Sequence, residues 1–193
     1  MSANHYNKNA EEFYISTINI DMSAIYKPFI SYLKPNSTIL DAGCGTGRDS
    51  KFFLKKGYQV EAFDASTSMV NLAQELTGIS IKNMKFQQLE EKEKYDGVWA
   101  CASLLHIPMN ELLDSMQRIS NALKENGVWY LSFKYGSGER EASGRQFTDL
   151  NEDLLSSFIS KIKHLSLVKT WKTEDTRKER NDVWLNAIIK KCT

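Results

Sequence analysis

The sequence predicts a doubly wound α/β fold: a mostly parallel seven-stranded sheet with an antiparallel hairpin at one edge and N-terminal helices. Three observations predict it. Short apolar runs alternate with amphipathic stretches through five rounds, which implies parallel strands joined by helices on both faces. The run Gly43-Cys44-Gly45-Thr46-Gly47 directly follows the first apolar run and opens a helix. Two more strand-like runs flank a charged turn near the end of the chain, the pattern of a hairpin.

The elements follow in order. Residues 4–33 read as helical, because Tyr6, Ala10, Phe13, Tyr14 and Ile18, and then Ile25, Phe29, Ile30 and Leu33, recur at helical spacing. Pro35-Asn36 ends that region. Residues 38–42 form a short buried strand, and 48–56 a helix stopped by Gly57. Residues 58–63 are a second strand, and Ser66 or Thr67 caps a helix that runs through Glu75. Residues 84–87 and 95–100 are the third and fourth strands. Residues 110–123 are amphipathic, with Leu112, Leu113, Met116, Ile119 and Leu123 on one face. Glu125-Asn126-Gly127 turns the chain into a fifth strand at 128–133. Residues 135–148 are rich in glycine and charge and read as a mobile loop. Residues 150–159 are helical, and 164–171 and 183–189 are the closing strands.

Composition narrows the function. The chain has 193 residues, 41% of them hydrophobic and 25% charged, as in a soluble globular domain. Its 25 basic and 24 acidic residues leave a net charge of +1, which argues against a strongly basic nucleic-acid binder. The three cysteines, Cys44, Cys101 and Cys192, are far apart and form no CxxC, so neither a disulfide framework nor a zinc ribbon is expected, and no metal site. No signal core and no apolar run of membrane-spanning length is visible, so a cytoplasmic protein with no membrane contact is expected.

In such sheets ligands bind beyond the carboxyl ends of the strands, near the switch in strand order. The first tip carries Asp41 just before the glycines. Glycines allow a tight turn and close backbone approach, and the helix that follows can hold an anion. Asp41 adds a carboxylate that favours a cationic ligand. At the second tip Asp64 lies 21 positions after Gly43, the separation at which a strand-end acid accepts both ribose hydroxyls of a nucleoside. A dinucleotide cofactor shares that spacing, but Arg48 stands where its third glycine would be.

LDAGCGTGRDS resembles motif I of the class I S-adenosylmethionine-dependent methyltransferases, and VEAFDAS their second motif. YDGVWACASLLHIP resembles the fourth, and LKENGVWYLSFK the strand after it. The likeness spans residues 6–134 and is close to a group of small bacterial tellurite-resistance-like and uncharacterised methyltransferases. It implies S-adenosyl-L-methionine as cofactor, S-adenosyl-L-homocysteine as product, and a Rossmann-like methyltransferase fold. It also implies one domain over 1–193: a helical cap (1–36), a cofactor-binding core (37–134), a candidate lid (135–149) and a C-terminal helix and hairpin (150–193).

Carried over residue by residue, the resemblance puts Asp41 near the methionine ammonium and Gly43, Gly45 and Gly47 in the cofactor loop. Asp64 takes the ribose diol, and Ala65 and Met69 pack near adenine. Ala100 offers a carbonyl to the methionine amino group, and Leu104 and His106 lie near the sulfonium. Tyr6 matches an N-terminal tyrosine that closes over the cofactor. Arg48 holds the methionine carboxylate or a neighbouring carboxylate. The third motif lacks its usual Asp; Gln88 and the Leu89 N–H are the substitutes for adenine.

His106 is the candidate general base, although an apolar-flanked histidine more often fastens a loop. Lys134, Arg140 and Arg145 are candidates to engage a carboxylate or phosphate on the acceptor. The basic cluster Arg177, Lys178 and Arg180 reads as a solvated turn. No [DN]-P-P-[YF] follows the fourth strand and no paired catalytic cysteines occur. A small-molecule methyl acceptor is therefore the expected partner, for a monomer or homodimer. A transfer RNA substrate and a non-catalytic cofactor-binding subunit stay open.

Overall fold

The computed structural model describes residues 2–176 and 181–192. Its seven-stranded sheet has the order β3-β2-β1-β4-β5-β9-β8. β1 (Thr38–Ala42), β2 (Gln59–Asp64), β3 (Ile81–Asn83), β4 (Tyr95–Ala100) and β5 (Leu123–Lys134) run parallel. β9 (Val183–Lys191) pairs antiparallel with β5 and with β8 (Leu165–Glu174). Strand order reverses between β1 and β4, so their carboxyl ends diverge and leave a crevice.

Period-two alternation sends the side chains of each central strand to both faces. Leu40, Val98 and Trp129 point into a core with Leu112, Met116 and Ile119 of α6 (Met109–Ala122) and Leu155 of α7 (Glu152–Ser160). Ile39, Trp99 and Tyr130 point the other way, against Phe29 of α3 (Ser23–Ile30) and Phe53 of α4 (Arg48–Lys55). Trp99 stacks on Tyr130 with ring centroids 4.0 Å apart.

The N-terminal helical stretch is three helices, α1 (Ser2–Lys8), α2 (Ala10–Thr17) and α3, broken at Asn9 and again over 18–22. α5 (Thr67–Thr77) is capped by the Ser66 hydroxyl, which accepts from Met69 N.

Two expectations need correction. The third strand lies at Ile81–Asn83, before the predicted 84–87, and Phe86–Gln88 form a 3-10 turn. Phe86 turns inward there to pack edge-on against Phe63, a tertiary contact that overrides strand propensity. The glycine-rich 135–148 segment is a two-stranded hairpin, β6 (Gly138–Ala142) paired with β7 (Arg145–Asp149). Ser143 and Gly144 form its two-residue turn, both at positive φ (51° and 69°) as a hairpin turn requires. The Arg177, Lys178 and Arg180 cluster lies outside the described residues. Among those described, no helix is long and apolar enough to cross a membrane.

Candidate active site

The glycine loop is tied to its neighbour strand: Gly43 N and Cys44 N both donate to the Phe63 carbonyl at 2.9 Å. Gly43 sits at φ +76°, and a Cβ there would lie 2.5 Å from Ser103 Cβ. Ser103 in turn donates to the Ala42 carbonyl at 2.7 Å. Only glycine fits this crossing of the β1 and β4 tips.

Asp64 closes the same corner. Its two carboxylate oxygens accept from Gly45 N at 2.9 Å and Ser66 N at 2.8 Å. Ala65 N adds a third amide, and the four acceptor sites of a carboxylate still leave room for a further donor. Burial pushes this carboxyl up, against the pull of those amides. Asp41 is 2% exposed and accepts from the Ser50 hydroxyl at 2.6 Å. Burial and the nearby Asp49 charge push its carboxyl up as well.

Asp49 is the hub beneath. It accepts from Tyr26 Oη at 2.6 Å, Trp99 Nε1 at 2.8 Å and Arg48 Nε at 2.6 Å. Burial alone would raise its carboxyl; Arg48 and these hydrogen bonds outweigh it and hold it below the usual range. Arg48 is thus committed to Asp49.

A roof covers the crevice. Tyr6 Oη lies 2.9 Å from His106 Nε2, and His106 Nδ1 lies 2.8 Å from the Gln146 carbonyl. A carbonyl only accepts, so Nδ1 carries the proton and Nε2 accepts from the tyrosine hydroxyl. Burial lowers the His106 pKa to about 4; the charges of Arg145, Lys134 and His5 add to that, against the Gln146 bond. The imidazole is therefore neutral, with both nitrogens occupied. Arg145 lies over the Phe147 ring at 5.1 Å and the Tyr6 ring at 5.9 Å.

Beyond the roof the far wall comes from the antiparallel strands. Tyr130, Ser132 and Lys134 share one face of β5, and β9 sets Asn186 opposite Ser132 and Trp184 opposite Lys134. Asn186 accepts from Tyr130 Oη at 2.8 Å and donates to Thr173 Oγ1 at 3.0 Å. Lys134 pairs with Asp182 at 2.7 Å.

These parts enclose one cavity of about 550 Å³. Tyr6, Asp41, Gly43, Gly45, Arg48 and Asp64 line it. So do Ala65, Met69, His106, Lys134 and Arg145. Gly47, Gln88, Leu89, Ala100, Leu104 and Arg140 do not line it, for identifiable reasons. A Cβ on Gly47 would meet Thr77 and Ala73 of α5 at 3.0 and 3.1 Å, so this glycine serves helix packing. Gln88 folds back to accept from Lys85 N at 2.8 Å, and Leu89 is in the core. Ala100 and Leu104 are fully buried, while Cys101, Ala102, Ser103 and Leu105 face the cavity. Arg140 is paired with Asp149 at 2.5 Å. Sequence reasoning missed Asp49, Ser103, Tyr130 and Asn186. The alternation Tyr130, Ser132, Lys134 was the available signal for the far wall.

The corner fits a nucleoside carrying positive charge: a buried carboxylate with spare lone pairs, a second buried acid without a cationic partner, and a cradle that a Cβ would fill. The family comparison agrees. Residues 39–127 match the model of a methyltransferase domain. An uncharacterized methyltransferase of Staphylococcus carnosus (strain TM300) is 22% identical over 167 residues, covering 79% of this chain and 81% of that protein. The 1,6-didemethyltoxoflavin N1-methyltransferase of Burkholderia thailandensis, solved with 1,6-didemethyltoxoflavin and S-adenosylhomocysteine, superposes with a TM-score of 0.80 at 19% identity, over 99% of this chain and 87% of that one. The magnesium protoporphyrin IX methyltransferase of Synechocystis PCC 6803, solved with S-adenosylmethionine, gives 0.72 at 19% identity, over 97% and 94%. These two likenesses are of fold.

The fold and the loop define a methyltransferase of the Rossmann-like kind. The matched residues 39–127 hold the glycine loop and both strand-end acids, and the fold around them is that of S-adenosylmethionine-dependent methyltransferases.

Proposed function

We propose that this methyltransferase moves the methyl group of S-adenosylmethionine to a small-molecule acceptor, at an N, O or S nucleophile, by in-line displacement. One observation carries the reading: a single roofed cavity joins the glycine loop and its two acids to a separate polar wall on β5 and β9. That wall leaves room for an acceptor beside the cofactor.

On this reading Asp64 receives the ribose diol, and Ala65 and Met69 pack against adenine. The loop of Gly43 and Gly45 gives close backbone approach, and Asp41 faces the methionine ammonium. Gln87 and Phe86 line the adenine side in place of Gln88 and Leu89. When bound, the cofactor supplies an electrophilic methyl group on a sulfonium; the protein supplies orientation and electrostatics. Tyr6, His106 and the β6–β7 hairpin exclude water from above, the lid role expected for 135–149. His106 keeps its proton on Nδ1 and orients Tyr6, so we assign it to positioning rather than to general base catalysis. The far wall's polar groups orient the acceptor. The free thiols Cys44, Cys101 and Cys192 suit a reducing cytoplasm.

The test is calorimetric titration with S-adenosylmethionine and S-adenosylhomocysteine. Micromolar binding is expected, weakened at least about tenfold in Asp64→Ala, the equivalent of about 1.4 kcal/mol. Wild-type protein that binds neither ligand would overturn the reading.

A further inference from the structure

The two ends of the cavity are lined by different ionisable groups. At the glycine-loop end stand Asp41 and Asp64, with Asp49 beneath them, and their one guanidinium, Arg48, is spent on Asp49. At the hairpin end stand Lys134 and Arg145. Lys134 and Arg145 are also the permanent charges that act on His106 at this end. Glu174 and Asp175, at the end of β8, are the acidic residues of the far wall; Asp175 accepts from Trp184 Nε1 at 3.4 Å.

The two cations differ in how they are satisfied. Lys134 has Asp182. Arg145 forms no ion pair with a described residue. Its Nε is buried without a hydrogen-bond partner, and Nη1 reaches only Tyr6 Oη, at 3.5 Å. Its guanidinium is nonetheless held in place, against the Phe147 and Tyr6 rings. A buried N–H left unmade costs on the order of 1–3 kcal/mol, more for a charged group. A braced guanidinium that lines the cavity without a carboxylate of its own is the fork that a ligand carboxylate fills with paired hydrogen bonds.

We propose that Arg145 is the specificity-determining residue for the acceptor, and that the acceptor is a small organic molecule bearing a carboxylate, anchored by the Arg145 fork. Its body packs among Phe147, Trp184 and Tyr130. The carboxyls beside the glycine loop then face the cationic methyl donor and Arg145 the acceptor's carboxylate, so that each ligand has its own partner in one cavity. This rests on the methyltransferase reading of the cavity. The cofactor's own methionine carboxylate is the other source of the same chemistry, and the test separates the two.

The test begins with S-adenosylhomocysteine binding to wild type, Arg145→Gln and Arg145→Lys. Each protein, saturated with S-adenosylhomocysteine, is then titrated with benzoate and, as neutral isostere, benzamide, followed by NMR chemical shifts. The expected result is unchanged S-adenosylhomocysteine affinity in both variants and millimolar benzoate binding to wild type. Benzoate should weaken at least about tenfold in Arg145→Gln and recover in part in Arg145→Lys. Benzamide should bind at least about tenfold more weakly than benzoate to wild type. Benzoate and benzamide binding alike, benzoate failing to bind at tens of millimolar, or Arg145→Gln retaining benzoate would each overturn the proposal. Loss of S-adenosylhomocysteine affinity in Arg145→Gln would assign the fork to the cofactor's carboxylate and overturn it too. Wild-type protein that fails to bind S-adenosylhomocysteine removes the underlying methyltransferase reading, a failure visible before any benzoate is added.

Discussion

Tyr6 and His106 are 100 positions apart in the chain, and the tyrosine hydroxyl donates to His106 Nε2 across 2.9 Å. That bond joins α1 to the segment after β4, and the other ring nitrogen joins the same segment to β7. Three separate pieces of chain meet on one imidazole. Tyr6→Phe removes the donor and leaves Nε2 unpaired under the roof. Affinity for S-adenosylhomocysteine should fall about three- to tenfold, the worth of one hydrogen bond, and stability should drop by about 1–3 kcal/mol, the cost of a buried acceptor left unpaired. Unchanged affinity would show that the roof does not close over the ligand.

The same imidazole sets a pH dependence. Its folded pKa, about 4, lies below the unfolded value of 6.5. Between those values the unfolded chain binds more protons, so stability rises with pH across that window and is lost as pH falls through it. Denaturant melts of His106→Gln between pH 4 and 7 should show a shallower slope than wild type. Parallel slopes would mean that His106 is not held neutral.

Asp41 runs the opposite way. Its carboxyl is pushed above the ordinary range, chiefly by burial. A raised acid favours the folded state at low pH, and that contribution fades as pH climbs through the folded value. Asp41→Asn should therefore match wild type below the unfolded carboxylate value of 3.8, and gain on it steadily between pH 5 and pH 8, by at least about 1–2 kcal/mol at pH 8. It should also bind S-adenosylmethionine more weakly. A variant less stable at pH 8 would contradict this account of the acid.

Asp49 should behave differently from Asp41, although only eight positions separate them. It is ionised and paired, so Asp49→Ala strands Arg48 and the Tyr26 and Trp99 donors in the core. Breaking a buried pair costs about 3–5 kcal/mol. Urea unfolding checks it, and a cost below about 1 kcal/mol would refute the hub.

Gly43→Ala combines a left-handed φ with a 2.5 Å clash against Ser103. We expect about 2–3 kcal/mol of destabilisation and loss of cofactor binding. Gly78→Ala shares the positive φ without any neighbour within 4 Å, and should cost only the backbone strain. Equal costs would mean that the crossing of the β1 and β4 tips is not tight.

The legible parts of this protein are those whose physics is local. Thr38–Ala42 reads as a strand because an apolar run meets glycines, and Asp64 is found by counting from Gly43. The β3 position was not legible, because three residues with two exposed polar side chains, Lys82 and Asn83, carry no periodic signal. The hairpin at 138–149 looked like loose chain because Glu139, Arg140 and Glu141 are charged and exposed. Its Ser-Gly turn was readable; the cross-strand pairing of Arg140 with Asp149 was not. Within the site, Asp41 and Gly43 could be placed from motif order. Asn186 could not, because it gains its position only when β9 pairs antiparallel with β5. The commitment of Arg48 to Asp49 likewise follows from a fold that buries both.

Trp99 is completely buried, stacked on Tyr130, and its indole N–H donates to a carboxylate at the cavity floor. Trp184 faces the same cavity from the opposite wall. Of the four tryptophans, Trp99 and Trp184 thus report on the two halves of the cavity. A charged ligand arriving above Asp49 alters the field at the first, and a molecule entering beside Lys134 quenches or shifts the second. Emission changes in the Trp184→Phe and Trp99→Phe proteins, read over the shared background of Trp129 and Trp171, separate the two signals, so occupancy of each half of the cavity can be followed by light, without a label and without knowing the acceptor.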